Sequence, residues 1–516
     1  MTRAGALFQC NPAGTRLDCG YVGIDQTQCE LKGDCCWSPA AAGSSEPWCF
    51  HKGTSAVRAH IPPQCFKLLP ASFESPPFDE ASVMRMSRHF LANFDVQGTG
   101  AVIASPGAVP ALPRDLTGGY AFHWMRDGAL SVKALMETSY VTGINRSMIR
   151  RVVKRYVGWV QRVTAGSSEP KWNTSSGSPY AFDWCRPQTD GPPLRALTLL
   201  AAMSRFPDID TWALARADLD WVVKHHANAS CDLWEEGMDE ANLLWNRVAM
   251  RAALLRGAEV AAARGDVSAC AAYQQAARDK VRDPWADHLT SQGVFSECPA
   301  IGQSYACAWH GKQLDGAVIL ALVHADSATT AASDFASAAV ARTVGALNAA
   351  FCSAYPVNRL GLPGILYGRW LTDRYGLPCH TCAAVHKDVR RGNPWVLVTA
   401  ALANLLFRAA RSAATRVPSA ESVSAWRATF GANFGKTAAG LPADFVAAGD
   451  SVLRRLRMSV APTDDDHLYE QLRQDDGAQF NAKDLTWSYA EVLSAIEQRR
   501  AARKVLARST FVRVRG

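Results

Sequence analysis

Residues 483–490 read KDLTWSYA, and they begin the last of a series of segments in which apolar residues recur at helical spacing. From about residue 81 onward the chain is rich in Ala, Leu, Val and Arg, with loops of Gly, Pro, Trp and Asp between the periodic segments. Apolar residues that return every three or four positions predict amphipathic helices, and strand signals are few. The predicted helices cover residues 81–94, 127–142, 147–163, 193–203, 208–225, 239–264, 268–288, 313–324, 335–350, 395–413, 420–434, 441–458 and 485–506. This pattern predicts a mainly α fold with one large helical domain over residues 81–508.

The overall composition excludes several classes of protein. The chain has 516 residues, of which 48% are apolar and 20% are charged, and this is typical of a globular protein with a large core. Since no charge-free run of eighteen apolar residues occurs, we predict no membrane span. The net charge of +8 is spread along the chain, so we also predict no nucleic-acid partner. Sixteen tryptophans indicate a stacking surface for planar or sugar ligands.

Cysteines mark a separate N-terminal module. Of the 15 cysteines, six lie in the first 49 residues, and so short a segment cannot be supported by core packing alone. They predict disulfides, and hence a secreted protein or one in a secretory or vacuolar lumen. A zinc cluster fits poorly, because two of the cysteines are adjacent and paired CxxC units are lacking in this segment. Sequons at Asn145, Asn173 and Asn228 agree with secretion, although a signal peptide is not visible in the first ten residues.

Two acidic stretches among aromatic residues are the candidates for chemistry. Residues 231–236 read CDLWEE, and the Trp provides an apolar wall that raises a carboxyl pKa, as a general acid requires. Residues 467–471 read HLYEQ and contain Glu470. Glycoside hydrolysis needs such a pair: one carboxylic acid protonates the leaving oxygen, and one carboxylate activates water or attacks the sugar. The alternative for two adjacent Glu residues is a solvated helix surface.

The first fifty residues resemble the trefoil (P-type) domain. The match includes all six cysteines, Gly20, Tyr21, the run CCW at 35–37 and the run PWCF at 47–50. The resemblance implies a module over residues 7–52 with the pairs Cys10–Cys36, Cys19–Cys35 and Cys29–Cys49. Two interpretations remain open for this module: glycan or mucin contact through exposed aromatic residues, and a stable spacer. The proline-rich residues 53–80 that follow predict a linker or an ordered strap.

The rest of the chain resembles glycoside hydrolase family 15, the glucoamylases, over roughly residues 90–500. The matching stretches are YAFHWMRD at 120–127, WCRPQTDGPPLRA at 184–196, DLWEE at 232–236, GNPW at 392–395 and KDLTWSYA at 483–490. The resemblance implies an (α/α)6 barrel with its active site among the loops at one end. It also implies an inverting exo-hydrolase that releases β-D-glucose from the non-reducing ends of α-1,4-glucans such as starch and maltooligosaccharides. It implies no cofactor and no metal.

The resemblance also assigns roles to residues of this chain. Glu235 is implied as the general acid and Glu470 as the general base. Arg126 and Asp127 would grip hydroxyls of the terminal glucose, since a guanidinium fork and a charged acceptor suit a polyol. Leu233 would offer its backbone carbonyl, and Glu236 would contact the next sugar. The pocket walls would be Tyr120, Trp124, Trp184, Trp234 and Trp487, for which ordinary core packing is the alternative.

Some positions depart from the family pattern. Cys231 stands where the family often has Tyr, and Cys185 stands where it usually has Gly. Because both adjoin motif residues of one pocket, we predict a Cys185–Cys231 disulfide. A second pair, Cys298–Cys307, would close a short loop. The family's ArgTyrProGluAsp run is not legible, so one sugar-binding arginine is unassigned, with Arg374 beside Tyr375 as the candidate. A further CxxC occurs at residues 379–382, where a local disulfide is the favoured interpretation over a redox or metal site.

Two further functions compete with the glucoamylase interpretation. One is a related family 15 activity on α-1,6-glucan or trehalose. The other is a catalytically weak glycan-binding protein that uses the barrel together with the trefoil. The presence of both carboxylates and of Arg126 with Asp127 counts against the second.

Overall fold

The computed structural model describes most of the chain as helices joined by loops and short hairpins. The described residues are 26–30, 35–39, 48–51, 65–70, 75–106, 119–236, 238–240, 242–299, 313–325, 330–331, 333–375, 392–437 and 439–514. The chain separates into two compact units, residues 1–60 and residues 61–516. Each unit has its own packing and is described by itself.

The first unit has a small disulfide-stapled core. Its described part contains the helix Gln26–Glu30 and an antiparallel pair of strands, Cys35–Trp37 and Cys49–His51. A disulfide joins Cys29 to Cys49, which is one of the three pairs that the trefoil resemblance implies. Cys36 is also disulfide-bonded. The other two implied pairs include Cys10 and Cys19, which lie outside the described residues.

Six helices form a closed ring at the centre of the second unit. Each packs on the next along the chain, and the last packs on the first. They are Met125–Glu137, Gly191–Arg205, Leu244–Ala263, Ala317–His324, Val396–Thr415 and Thr486–Val514. Their side chains are buried on most sides, because each inner helix lies between two ring neighbours and an outer layer.

An outer layer of helices surrounds this ring and returns the chain from each inner helix to the next. The helices of this layer are Glu80–Ala92, Arg146–Trp159, Trp212–His225, Val267–Gln275, Ala338–Ala354 and Leu441–Ser459, with Ala420–Phe430 packed beside Ala338–Ala354. Since an outer helix stands between each two inner ones, all six inner helices run in the same direction. Their N-termini therefore lie at one end of the barrel, which confirms the predicted mainly α, (α/α)6 architecture.

The remaining elements are short. In the described part of this unit, two antiparallel hairpins pair Ser230–Cys231 with Met238–Glu240 and Tyr469–Leu472 with Gln479–Lys483, and a third antiparallel pair joins the distant strands Phe122–Trp124 and Lys171–Asn173. Short helical segments occupy Val96–Gly98, Ser139–Thr142, Val160–Thr164, Ala276–Lys280, Pro284–Asp287, Pro356–Arg359 and Pro462–Asp464. Each of these three pairs includes a strand that ends a few residues before the N-terminus of an inner helix.

Most predicted helices occur within a few residues of their predicted bounds, and the differences have local causes. The prediction of one helix over 239–264 is wrong at its start, because the strand Met238–Glu240 precedes the helix Leu244–Ala263. The prediction of one helix over 268–288 is also wrong. There Asp283 caps a new turn that begins at Pro284, because proline cannot continue a helix from within. Strands of two to five residues are too short to produce a recognisable alternation.

The helix Val396–Thr415 is long and apolar enough to cross a membrane, and it is the one such helix among the described residues. Of its most apolar window, 83% is buried inside the protein, because it is an inner helix of the barrel. The described part of the proline-rich residues also packs on this unit. A disulfide joins Cys65 to Cys352, and Phe66 and Phe78 lie in the main hydrophobic core.

Candidate active site

A cavity of about 280 Å³ lies at the end of the barrel where the inner helices begin. All eleven residues that the sequence marked as catalytic or substrate-binding line it: Tyr120, Trp124, Arg126, Asp127, Trp184, Leu233, Trp234, Glu235, Glu236, Glu470 and Trp487. The lining also includes Ala104, Gly119, Arg369, Tyr375, Trp395, Leu397 and Leu485. Stretches that are distant in the sequence therefore meet in one place.

The architecture explains why these stretches meet. Arg126 and Asp127 lie in the first turn of the helix Met125–Glu137, and Trp487 lies in the first turn of Thr486–Val514. Trp184 and Glu235 lie in the loops that lead into the next two inner helices. Helix N-termini carry partial positive charge and unpaired N–H groups, so this end of the barrel favours carboxylates and oxygen-rich ligands.

Glu235 is held at one carboxylate oxygen. Its Oε1 accepts hydrogen bonds from Arg126 Nη2 at 3.1 Å and from Gln188 Nε2 at 2.9 Å. Its backbone has φ of 62°, in the left-handed region that non-glycine residues rarely occupy. Strain of this kind persists where the surrounding structure enforces it, and it is concentrated at functional sites.

Arg126 connects several acidic groups. It contacts Asp190 Oδ2 at 3.1 Å and Asp127 Oδ2 at 3.5 Å, in addition to Glu235. Burial opposes its positive charge, but the negative charges of Asp190, Glu235 and Asp127 outweigh this and hold the pKa of Arg126 above its usual value. Burial raises the pKa of Asp127 to about 7, although Arg126 acts in the opposite direction. Arg126 is therefore a fixed positive charge beneath the cavity.

Glu470 is held at both carboxylate oxygens. Tyr120 donates its hydroxyl proton to Oε1 at 2.7 Å, and Asn481 Nδ2 donates to Oε2. Tyr375 extends this network, since its hydroxyl lies 2.6 Å from that of Tyr120. Burial raises the pKa of Glu470 to about 7, although the hydrogen bonds from Tyr120 and Asn481 and the charge of Arg369 act in the opposite direction.

Arg369 supplies the arginine that the sequence left unassigned. Its side chain is almost fully buried, and it contacts Asp373 and, through Nη2 at 2.5 Å, Glu236. Its guanidinium also lies 5.7 Å from the ring centroid of Trp234. The candidate Arg374 is wrong, because that residue is exposed and does not line the cavity. The signal in the sequence was an Arg and an Asp four residues apart, Arg369 and Asp373, in the stretch that precedes GNPW at 392–395.

Comparison with known proteins agrees with this geometry. Residues 82–497 match Glycosyl hydrolases family 15, and residues 10–52 match the Trefoil (P-type) domain. The chain belongs to glycosyl hydrolase family 15.

Relatives of this family 15 chain are glucoamylases. The glucoamylase of Blastobotrys adeninivorans is 26% identical over 439 residues, which cover 76% of this chain and 67% of that protein. A probable glucoamylase of Schizosaccharomyces pombe is 25% identical over 438 residues, which cover 80% of this chain and 89% of that protein.

Solved structures show the same fold. The glucoamylase from Saccharomycopsis fibuligera superposes with a TM-score of 0.68 at 20% identity, covering 85% of this chain and 99% of that one. The family 15 glucoamylase from Hypocrea jecorina gives a TM-score of 0.66 at 24% identity, covering 81% of this chain and 71% of that one.

Disulfides connect loops at the site of this family 15 chain. Cys185 and Cys231 form a disulfide between the loop that carries Trp184 and the loop that carries Glu235. The Cys65–Cys352 disulfide was missed, because 287 residues separate its cysteines. Cys298 is disulfide-bonded, but its predicted partner Cys307 lies outside the described residues, as do Cys379 and Cys382.

Sequence reasoning also missed a buried lysine behind the aromatic wall. The Nζ atom of Lys171 lies 3.7 Å from the ring centroid of Trp184, 4.0 Å from that of Tyr180 and 4.4 Å from that of Trp124. Among the described residues it has no hydrogen-bond acceptor, and burial lowers its pKa to about 7 against the charge of Glu235. The ring faces around Nζ offset part of the cost of burying this charge, and the net shift of the pKa is still downward.

Proposed function

We propose that this protein is an exo-acting, inverting glucoamylase that releases β-D-glucose from the non-reducing ends of α-1,4-glucans, with Glu235 as general acid and Glu470 as general base. The observation that carries the proposal is that two carboxylates line one cavity with different hydrogen-bond partners. Family membership and the glucoamylase relatives support the substrate class. Two carboxylates in distinct environments are what an inverting glycosidase requires.

The contacts of Glu235 suit a proton donor. Both of its hydrogen bonds from Arg126 and Gln188 reach the same oxygen, Oε1. The acidic proton then belongs on Oε2, which is left to donate to the glycosidic oxygen of a bound glucan. After transfer, the new negative charge at Glu235 is stabilised by Arg126 at 3.1 Å.

The contacts of Glu470 suit a proton acceptor. Tyr120 and Asn481 each donate to one of its oxygens, and donors of this kind stabilise the ionised carboxylate. Each carboxylate oxygen has a second lone pair that can accept a proton from water. Glu470 therefore directs and deprotonates the attacking water, and the product sugar is inverted at its anomeric carbon.

The remaining lining residues hold the terminal sugar. Arg126, Asp127 and Arg369 provide charged donors and acceptors for sugar hydroxyls, and the Leu233 carbonyl provides a further acceptor. Glu236 is placed to contact the next sugar. The aromatic walls stack on the apolar ring faces. A cavity of about 280 Å³ is at the small end of ligand pockets, which suits one chain end rather than the middle of a polymer.

Product stereochemistry and matched variants test this proposal. Proton NMR of fresh maltose hydrolysate should show the β-anomer of glucose first. Glu235→Gln and Glu470→Gln should each lower kcat by roughly two to four decades with the fold intact. Glu421→Gln, on an exposed side chain paired with Arg342, is the control and should keep wild-type activity. An initial α-anomer, or near wild-type turnover by either site variant, would contradict the proposal.

The N-terminal module supports a second role in the same protein. We propose that the chain consists of a trefoil module over residues 7–52, a strap over 53–80 and a catalytic domain over 81–508. Of these, the trefoil module contacts glycans or mucins. Trp48 is half-exposed, and its ring lies 5.8 Å from that of Trp37 in an edge-to-face pair, which gives an aromatic surface suited to sugars. Trp48→Ala should weaken retention on immobilised mucin, and removal of residues 1–52 should leave maltose hydrolysis unchanged. Equal retention of wild type and variant would refute the contact.

The disulfides support a compartment for this activity. Cys29–Cys49, Cys65–Cys352 and Cys185–Cys231 are all formed, and such bonds persist in oxidising surroundings. We therefore propose that the enzyme acts outside the cell or in a secretory or vacuolar lumen. Immunofluorescence of the native protein would test this, and a purely cytosolic signal would contradict it.

A further inference from the structure

A cluster of side chains outside the cavity has the composition of a metal site. His89, Asp465 and His467 each offer one ligand atom, and these atoms all lie within 4.8 Å of one another. His89 belongs to the helix Glu80–Ala92, and the other two belong to the loop before the strand Tyr469–Leu472. All three reach solvent, because 19% of the His89 side chain, 55% of that of Asp465 and 20% of that of His467 are exposed.

The donor types and the spacing of His89 and Asp465 fit zinc, and the donor atom of His467 lies within 4.8 Å of the other two. His89 Nε2 lies 3.2 Å from Asp465 Oδ2. Ligands at about 2.0–2.1 Å from a tetrahedral zinc ion stand about 3.3 Å from each other. Two imidazoles and one carboxylate with a fourth position open to water are a common zinc donor set, whereas calcium and magnesium prefer oxygen ligands.

A neighbouring carboxylate orients one of the imidazoles. His467 Nδ1 lies 2.6 Å from Asp484 Oδ1. Metal-binding histidines usually donate their other ring N–H to a carboxylate, which fixes the tautomer and orients the ring. With Nδ1 donating in that bond, the Nε2 lone pair of His467 would be available to a metal. The ring centroids of His89 and His467 lie 3.9 Å apart with the ring planes tilted by 30°, so the two imidazoles are close neighbours.

The charged side chains around the cluster leave one oxygen of the Asp465 carboxylate, Oδ2, available to bind a cation. Among the described residues, three cations lie around the cluster: Asp466 binds Arg85 at 2.5 Å and Arg457 at 2.8 Å, and Lys483 pairs with Asp464 at 3.0 Å. Arg85 Nε lies 3.6 Å from Oδ1 of Asp465, whereas Oδ2 lies toward His89. His89 Nε2 also contacts the Asp465 carbonyl oxygen at 3.0 Å, a bond that a metal ion would replace.

We propose that His89, Asp465 and His467 bind a zinc ion that ties the helix Glu80–Ala92 to the loop leading to Glu470. The ion would stabilise this loop and would take no part in glycoside hydrolysis. The site does not depend on the function proposed for the cavity, since none of its three ligands lines that cavity.

Zinc titration of the full chain, stripped with EDTA, tests the proposal. Calorimetry should give one zinc per chain for the wild type and a loss of affinity of more than about a hundredfold for His89→Gln and for His467→Gln. Asp484→Asn keeps all three ligands and should weaken binding by about 10–100-fold. His225→Gln is the matched control, since this histidine stacks on Trp221 outside the cluster, and it should bind as the wild type does.

Two independent measurements guard against unfolded variants. Circular dichroism should show unchanged helix content, and zinc should raise the Tm of the wild type by a few degrees but not that of His89→Gln. Cobalt(II) in place of zinc should give the intense visible bands of a tetrahedral site. Absence of stoichiometric zinc binding by the wild type, or wild-type affinity in both folded histidine variants, would overturn the proposal.

Discussion

Removal of the Cys185–Cys231 disulfide should destabilise the barrel much more than it slows the reaction. The bond connects the loop of Trp184 to the loop of Glu235. Two other contacts between these loops would survive its removal: Cys231 N donates to Pro187 O at 2.8 Å, and Thr189 N donates to Ser230 Oγ at 3.0 Å. The double variant Cys185→Ala/Cys231→Ala removes the covalent tie without burying a new polar group.

The magnitude follows from the loop that the disulfide closes. The two cysteines are 46 residues apart. In the chain-entropy description, a loop of this size reduces the entropy of the unfolded chain enough to stabilise the native state by about 4 kcal/mol. Residues 61–516 unfold with an entropy of about 1 kcal/mol/K at the usual value per residue, so Tm should fall by about 4 °C. Because the surviving contacts keep the loops in place, kcat/KM on maltose at 25 °C should stay within about tenfold of wild type.

Differential scanning calorimetry and initial rates on maltose measure the two effects. Cys270→Ala is the matched control, because Cys270 is a free and partly buried cysteine in the described part of the chain. A Tm for the double variant no lower than that of Cys270→Ala would refute the entropic argument. A loss of kcat/KM of more than about a hundredfold with little change in Tm would show instead that the bond mainly positions Glu235.

Three other variants test the electrostatics of the site. Tyr120→Phe removes a donor that lowers the pKa of Glu470, so that pKa should rise and the acidic limb of the kcat/KM–pH profile should move to higher pH; a shift to lower pH would contradict the role of a base. Arg369→Lys loses the forked contact with its carboxylate partners and should lower kcat/KM by at least about tenfold, while the exposed neighbour Arg374→Lys, as control, should not. Lys171→Met removes an ammonium whose pKa is lowered to about 7 by burial, so the folded chain binds fewer protons there than the unfolded chain between about pH 7 and 10.4. In thermal melts, the free energy of unfolding of the wild type should therefore increase relative to that of this variant as pH rises through that window. A difference in Tm that does not change with pH would show that the pKa of Lys171 is not lowered in the folded protein.

The sequence alone was sufficient for the helical fold and for most of the cavity lining. Helical periodicity is a local property, so segments such as Val396–Thr415 and Leu441–Ser459 were predictable within a few residues. The lining residues stand beside helix starts in short motifs that the family pattern fixes, and Trp124 and Glu235 are examples. The Cys185–Cys231 disulfide was also predictable, because each cysteine replaces the usual family residue in a motif and both motifs line the same pocket.

Only the tertiary structure decided the contacts between distant segments. Arg369 was not recognised from the sequence, because only the first Arg and the last Asp of the family's ArgTyrProGluAsp run are present in this chain. Its contact with Glu236 joins residues that are 133 positions apart. Lys171 has the sequence character of a surface lysine, but the antiparallel pairing of its strand Lys171–Asn173 with the distant strand Phe122–Trp124 places it among aromatic rings. His89 approaches His467 because the first outer helix lies against the loop that precedes the last hairpin. Such contacts depend on how the ring of helices closes, and closure is a property of the whole chain that spacing along any one segment does not encode.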